Sequence, residues 1–198
     1  HAYFPLKVAI KQASVGMHLI VDQLHQLHRA HRSRAKHVDS SYLLLVHCVH
    51  LDRNLRGTIA HNPRSNMNNG VGYAYPSQRA NKIVLGTDGI GADMLEEARL
   101  AYVRLREFEI TETPTTVWAW LENSYELFPE AKNDIVTFNY DHVDSPWHAA
   151  FTTGVGVTDV EVDGVKVLKS GLPTQVDIYE IRAKAAEQAT RLHERLAS

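Results

Sequence analysis

Cysteine, long apolar runs and an excess of basic residues are all scarce or missing in this 198-residue chain. The single cysteine, Cys48, excludes an intrachain disulfide and is typical of a reducing compartment. No apolar run approaches the roughly 18 residues of a membrane span. Lysine and arginine number 21 against 23 acidic residues, so no overall positive field would attract a nucleic-acid backbone. We therefore expect a cytoplasmic protein that binds neither membranes nor nucleic acids.

Histidine is the residue in unusual supply. The chain has 12 histidines, most of them within the first 61 residues. Neutral imidazole is a common metal ligand and carries protons near neutral pH, so this distribution predicts chemistry in the N-terminal two-thirds of the chain. The hydrophobic content of 44% is enough for one sizeable core with a small satellite unit.

Continuous apolar runs predict buried strands of a parallel sheet. Residues 42–46 run into His47, residues 58–60 into His61, and residues 82–85 into the Gly-Thr-Asp sequence that contains Asp88. Continuous runs, in contrast to alternating ones, suit a sheet that is covered on both faces. In a (β/α) barrel the C-terminal end of each strand is where catalytic residues gather.

The rest of the chain divides into helices and a small β unit. Helices are predicted over 93–106, 114–127 and 177–197, and Asp-Gly between alternating runs predicts a hairpin within a β unit at 130–172. The apolar stripe of the last helix suits docking on its own domain or on a partner. The predicted units are residues 1–128, with the parallel strands; 129–176, a small β unit; and 177–198, a C-terminal helix.

Each candidate residue also has a purely structural interpretation. Asp88 lies between glycines, where a carboxylate can serve as a hard ligand and a base, or where Asp-Gly simply makes a turn. His47 and His50 differ in parity, so on an extended strand they would point to opposite faces. The polar residues 61–70 can hold a planar substrate through hydrogen bonds, or can serve only as turn formers.

Three motifs taken together resemble those of the amidohydrolase superfamily. Residues 47–52 read HCVHLD, residues 61–69 read HNPRSNMNN, and residues 85–89 read LGTDG ahead of ADMLEEAR at 92–99. The resemblance is to the aminohydrolase and chlorohydrolase branch, and most closely to SsnA-like aminohydrolases. It implies an α/β fold of the metal-dependent hydrolase (β/α)8 type, a TIM-like barrel incomplete in this chain, with a small β-sandwich unit. The first of the predicted units is then the barrel portion, and the second is the β-sandwich portion.

The resemblance also implies a chemistry. One divalent metal ion, expected to be zinc with iron or manganese as alternatives, would activate a water for attack on a ring carbon bearing an amino or halide group. Asp88 corresponds to the carboxylate that touches the metal and takes the water's proton, and His47 to the histidine that stabilises the attacking water. The positions that fall in a loop beside the substrate pocket are His61, Asn62, Ser65 and Asn66.

Two further ligand positions follow from the same resemblance. The family's first strand ends in His-x-His, and residues 1–6 match it from the second histidine, which makes His1 a candidate ligand. The fifth strand carries a histidine followed three residues later by a glutamate. Residues 16–21 resemble the approach to it, so His18 is the nearest candidate, although no glutamate follows.

We therefore expect an aminohydrolase that releases ammonia from an amino-substituted nitrogen heterocycle; its oligomeric state stays open. The rival is a catalytically degenerate barrel that acts as a binding or scaffold protein, which the missing glutamate favours. A barrel of this type takes about 250 residues. Between the strands that lead into His47 and His61 the connection is only a few residues around Leu51–Gly57, too few for a parallel crossover of a dozen or more. We accordingly expect the sequence to begin after the start of translation and to omit segments of a longer chain.

Overall fold

The computed structural model describes Ser41 and residues 43–51 and 55–197. The elements up to residue 127 are β1 (Leu44–Val46), β2 (Thr58–His61), α1 (Pro63–Asn68), a 3-10 turn (Pro76–Gln78), β3 (Lys82–Leu85), α2 (Met94–Phe108), α3 (Pro114–Glu122) and α4 (Ser124–Leu127). Those that follow are a 3-10 turn (Pro129–Asn133), β4 (Ile135–Phe138), α5 (Pro146–Phe151), β5 (Val157–Val162), β6 (Val165–Lys169), β7 (Leu172–Pro173) and α6 (Ile178–Ala197).

The first three strands form a parallel sheet in the order β1-β2-β3. The central residues Leu45, Ile59 and Ile83 are buried and belong to one core with side chains of α2 and α3. Because the three strands are parallel, their C-terminal ends lie at the same side of the sheet. We call this side the carboxyl edge, and it comprises the residues that follow Val46, Ala60 and Leu85. The three apolar runs were thus correctly predicted as buried parallel strands.

The expectation that the few residues around Leu51–Gly57 cannot join two parallel strands is wrong. Leu44 pairs with Thr58 and Val46 with Ala60 in parallel register. β1 has only three residues, so a return of about 10 Å is enough to bring the chain to the start of a parallel neighbour, and a crossover of a dozen residues is not required. Left-handed backbone at His47 (φ 64°) and Cys48 (φ 54°) turns the chain directly after β1, and Gly57 (φ 113°) turns it into β2.

The predicted helix starts agree with the capping seen in the structure. The Asp93 carboxylate accepts hydrogen bonds from the backbone N–H groups of Leu95 and Glu96, at 3.0 and 3.1 Å, and so begins α2. α3 begins at Pro114, whose missing N–H costs nothing in the first turn. Its predicted continuation to Leu127 is interrupted at Asn123, whose side-chain amide donates to the Ile83 carbonyl at 2.8 Å and ties α3 to β3.

The second sheet is antiparallel, with strand order β4-β5-β6-β7. Val162 pairs with Val165 across the predicted Asp-Gly turn. Asp163 and Gly164 both have positive φ, of 51° and 78°, as a two-residue hairpin turn of this kind requires. The hairpin prediction is therefore confirmed.

The segment between β4 and β5 packs on the first core. Val143 and the α5 residue Ala149 are buried in the same cluster as the apolar face of α2. Arg99 of α2 donates from Nε to the Ala149 carbonyl at 2.8 Å. These contacts attach α5 to α2 and α3, although α5 follows a strand of the second sheet.

The last helix, α6, is amphipathic but lies at the surface. Asp177 caps it by accepting from the N–H groups of Tyr179 and Glu180. None of its described residues is buried, and its apolar stripe, including Leu192 and Leu196, is exposed. Within the described ranges, no helix combines the length and apolar character needed to cross a membrane.

Candidate active site

The carboxyl edge of the parallel sheet brings His47 and Asp88 together. His47 directly follows β1, and its backbone N–H donates to the Ala60 carbonyl at 3.0 Å, which extends the β1–β2 ladder by one bond. Asp88 follows β3 in a left-handed conformation, with φ of 52°. The parity argument made for His47 and His50 does not apply, because the chain turns at this point and is not extended.

The short helix α1 supplies a polar network between these two residues. Its residues Ser65 and Asn66, and its N-terminal neighbour Asn62, are all buried. His47 Nδ1 lies 2.8 Å from Asn66 Oδ1 and 3.3 Å from Asn62 Nδ2. Ser65 Oγ donates to Asp88 Oδ2 at 2.5 Å. One helix thus contacts both predicted catalytic side chains.

The carboxylate of Asp88 is held in its ionised form. The hydrogen bond from Ser65 is the largest influence on Asp88 and lowers its pKa. Burial acts in the opposite direction, but the Gly89 backbone N–H, which donates to Oδ1 at 2.7 Å, and nearby His47 lower the pKa further, so the net shift is downward. The side chain remains 40% exposed. An ionised carboxylate that still reaches solvent can bind a cation or accept a proton.

The distance between His47 Nε2 and Asp88 Oδ2 tests whether these residues fit a metal. The two atoms are 3.5 Å apart, which is longer than a good N–H···O hydrogen bond of 2.7–3.2 Å. Two donors on one tetrahedral zinc, each about 2.0–2.2 Å from the ion, lie about 3.3–3.5 Å apart. A carboxylate oxygen is a ligand that zinc accepts, so the residues present fit such an ion with Asp88 as a ligand and His47 beside it.

A complete ligand set is not present in the described part of the chain. Across Ser41, 43–51 and 55–197, no group of three or more His, Cys, Asp or Glu side chains is placed to hold a metal ion. The predicted ligands His1 and His18 lie outside the described residues. Their assignment stays a prediction.

A buried ion pair anchors α1 to α2. Glu97 is fully buried, and its Oε1 accepts from Arg64 Nε at 2.7 Å while its Oε2 accepts from the Arg64 backbone N–H at 3.3 Å. A Cβ at Gly91 would lie 3.2 Å from Glu97 Oε1 and 3.3 Å from Arg64 Nε, so a glycine suits this close approach. α1 carries the residues that contact His47 and Asp88. The Arg64–Glu97 pair therefore fixes the position of this polar network relative to α2.

Glu97 was not among the predicted site residues, although its position on the apolar face of α2 indicates a buried carboxylate. Glu97 lies four residues before Ala101 and eight before Leu105, on the buried face of α2. A carboxylate on an apolar face requires a cationic partner. The nearby HNPR motif contains that partner in Arg64.

His61 occupies a different environment from the other motif residues. It is the last residue of β2 and is almost fully buried, with its ring edge-to-face with Tyr73 and Trp120 at centroid distances of 6.0 and 6.2 Å. Burial lowers the pKa of His61 to about 4, with smaller contributions from His47 and Arg104. The imidazole is therefore neutral at physiological pH.

The prediction that His61, Asn62, Ser65 and Asn66 contact a substrate stays a prediction. The structure places these residues on β2 and α1 and not in an open loop, and it buries all four. Three of these side chains already form hydrogen bonds with His47 or Asp88: Asn62, Ser65 and Asn66. Neither ring nitrogen of His61 has a protein partner.

A cavity of about 830 Å³ lies at the opposite end of the sheet, next to the start of β2 and β3. Its basic residues are partly engaged, because Lys82 pairs with Glu126 and Arg79 donates to the Leu51 carbonyl. The polar network and the perturbed carboxylate both lie at the carboxyl edge, and so that edge is the candidate active site.

Comparison with solved structures identifies the fold. An amidohydrolase from Brucella melitensis superimposes with a TM-score of 0.64 at 17% identity, covering 90% of this chain and 48% of its own. A zinc-bound adenosine deaminase from Xanthomonas campestris gives 0.65 at 17% identity, covering 88% of this chain and 47% of its own. A mutant atrazine chlorohydrolase from Arthrobacter aurescens, complexed with zinc and atraton, gives 0.60 at 18% identity, covering 75% of this chain and 41% of its own.

The chain thus shares its fold with part of each of these solved structures and spans about half of their length. No family model matches the sequence. The predicted resemblance to the amidohydrolase superfamily is supported at the level of the fold, while the described residues form a three-stranded parallel sheet with helices and not a closed barrel.

Proposed function

We propose that this chain carries part of the active site of a metal-dependent aminohydrolase, which hydrolyses a C–N bond of an amino-substituted nitrogen heterocycle. The observation that carries the proposal is the approach of His47 Nε2 to Asp88 Oδ2 at 3.5 Å, at the carboxyl edge of a parallel sheet. Two of the solved structures with this fold are named as an adenosine deaminase and an atrazine chlorohydrolase, and both contain zinc.

The residues would divide the chemistry between them. A divalent metal, expected to be zinc and held by Asp88 together with His1 and His18, would lower the pKa of a water to near neutrality when bound. Asp88 would accept the proton of that water, since its carboxylate is ionised and partly exposed. His47 would orient the water towards the ring carbon, and the proton on Asp88 would be available to the departing amino group.

The substrate class follows from the aminohydrolase and chlorohydrolase branch that the motifs resemble. Adenosine and atrazine are both nitrogen heterocycles with a displaceable substituent on a ring carbon. A planar heterocycle would lie above His47 and Asp88, and the motif residues His61, Asn62, Ser65 and Asn66 would border its site. Within that branch, we propose that the protein is most similar to the SsnA-like aminohydrolases.

Ammonia release by the purified full chain supplied with zinc tests the proposal. We expect at least one member of a panel of aminopurines, aminopyrimidines and aminotriazines to be hydrolysed. Asp88→Asn removes the proton acceptor and a ligand charge, so its rate should fall by about 10²- to 10⁴-fold and its zinc content should fall with it. Asp163→Asn is the matched control, because Asp163 lies in the exposed hairpin turn, where asparagine is equally suited.

The alternative function has a clear signature in the same experiment. A folded chain that binds no zinc and hydrolyses no member of the panel would contradict the proposal and leave a binding or scaffold protein. Equal rates for Asp88→Asn and the unsubstituted protein would also contradict it, because the activity would then arise elsewhere.

A further inference from the structure

The hydrogen bonds of His47 decide which of its ring nitrogens carries the proton. Nδ1 lies 2.8 Å from Asn66 Oδ1. An amide oxygen has no hydrogen to donate, so this bond forms only when Nδ1 is protonated. In the neutral ring, Nε2 then keeps its lone pair.

Asn62 favours the opposite arrangement but is less well placed. Its Nδ2 is a donor and would require an unprotonated Nδ1, yet the distance is 3.3 Å, beyond the 2.7–3.2 Å of a good hydrogen bond. The tautomer protonated on Nε2 would instead face Asp88 Oδ2 at 3.5 Å, a longer distance than the 2.8 Å from Nδ1 to Asn66 Oδ1. The Nδ1–H tautomer therefore has the better partner.

Asn66 is kept in place beside His47 by burial and by its helix. It is 3% exposed, and its backbone N–H donates to the Asn62 carbonyl at 3.0 Å. The helix that carries it is anchored through Arg64 to the fully buried Glu97. His47 itself is fixed by the bond from its backbone N–H to the Ala60 carbonyl.

We propose that Asn66 is a positioning residue that holds neutral His47 as the Nδ1–H tautomer, with the Nε2 lone pair facing Asp88. The consequence for catalysis rests on the proposed function, because an unprotonated Nε2 is what a water or a metal needs on that side. The tautomer itself does not depend on any activity. This assigns Asn66 a role towards His47 in addition to its position beside the substrate site.

Nitrogen NMR of the full chain with ¹⁵N-labelled histidine tests the proposal directly. Protonated and unprotonated ring nitrogens are distinguished in long-range ¹H–¹⁵N spectra recorded where histidine is neutral, and a His47→Gln sample assigns the His47 signals. We expect Nδ1–H in the unsubstituted protein. Asn66→Asp retains an acceptor without a donor, so it should retain the same tautomer, whereas Asn66→Ala should increase the Nε2–H share.

Asn68→Ala is the matched control, because Asn68 lies exposed in the same helix and bonds to Asn69. It should leave the His47 spectrum unchanged. A His47 that is protonated on Nε2 in the unsubstituted protein would overturn the proposal, and so would an unchanged tautomer in folded Asn66→Ala. If Asn66→Ala does not fold, the unsubstituted protein and Asn66→Asp still decide the question, since a donating Asn66 amide would make their tautomers differ.

Activity separates this inference from the proposed function. If hydrolysis is found, we expect Asn66→Ala to lower kcat by about 10- to 100-fold, as loss of a partner that orients a ligand typically does, with a smaller change in KM. If no hydrolysis is found but His47 is Nδ1–H in the unsubstituted protein and loses that preference in Asn66→Ala, the proposed function fails and the positioning role stands.

Discussion

The carboxyl edge of the parallel sheet buries several polar side chains, whereas the C-terminal part of the chain leaves nearly all of its described polar side chains at least partly exposed. Among the described residues, five buried polar side chains lie around β2, α1 and α2: His61, Asn62, Ser65, Asn66 and Glu97. In the antiparallel sheet only Asp134 is comparable, and its carboxylate accepts from the Asp163 backbone N–H at 3.1 Å. In the charged pairs of α6, such as Glu187 with Arg191, both side chains are exposed.

The buried polar groups at the carboxyl edge are expected to lower the stability of the fold, and the exposed pairs of α6 are not. Burying a polar group destabilises a fold unless it is fully hydrogen-bonded. At the carboxyl edge the buried groups hold one another and the two candidate catalytic residues, and Asn66 Nδ2 and both His61 nitrogens are left without a protein partner. The surface pairs of α6 require no such compensation. Substitutions in the two regions should therefore differ strongly in effect.

Loss of the buried glutamate should give the largest difference in stability. Glu97→Ala removes the buried carboxylate that Arg64 contacts and opens a cavity between α1 and α2. The one-third-exposed Arg64 side chain can turn to solvent, so the free energy of unfolding should fall by about 2–4 kcal/mol. Glu187→Ala removes an exposed i,i+4 pair and should cost at most about 0.5 kcal/mol. Urea unfolding of both variants at neutral pH measures this comparison. Equal losses would show that the Glu97 pair contributes no more than a surface pair.

Acid should distinguish the buried histidine from those at the surface. The pKa of His61 is about 4 in the folded chain and about 6.5 in the unfolded chain. The unfolded state therefore binds the extra proton first, and stability should be lost as the pH falls from 6.5 towards 4, by up to about 3 kcal/mol, and not further below 4.

His61→Phe keeps an aromatic ring against Tyr73 and Trp120 but cannot titrate. It should flatten this part of the pH dependence, as measured by urea unfolding at a series of pH values between 7 and 4. His193→Phe, on the exposed face of α6, should leave the dependence unchanged. An identical acid dependence in His61→Phe and the unsubstituted protein would show that other groups cause it.

Two glycines near Asp88 should differ although they are close in sequence. A Cβ at Gly86 would lie 2.2 Å from Asn62 Oδ1, so Gly86→Ala must displace Asn62 and should cost about 1–3 kcal/mol. A Cβ at Gly89 would meet nothing within 4 Å. Gly89→Ala should therefore be close to neutral, and thermal unfolding of both variants measures the difference. A neutral Gly86→Ala would mean that Asn62 is not held against β3.

Much of the local structure could be predicted from particular residues. Asp93 begins α2 as a cap, Pro114 begins α3, and Asp163–Gly164 forms the hairpin turn, because each depends only on a few neighbouring dihedral angles or on one hydrogen bond. The parallel strands followed from their continuous apolar runs. The crossover after β1 was misjudged, since its length depends on how short the strand is and on positive φ at His47 and Cys48.

The sequence by itself determined the parallel strands, the longer helices, the hairpin, the order of the motifs and the residue types available for chemistry, because these depend on hydrophobic periodicity and local backbone preference. The short helices α1 and α5 were not predicted. Only the tertiary structure decided that Asn66 faces His47, that Ser65 binds Asp88, and that Glu97 is buried against Arg64. These contacts join residues 19 to 33 positions apart. Their formation depends on how the strand ends and helices pack, which no local pattern records.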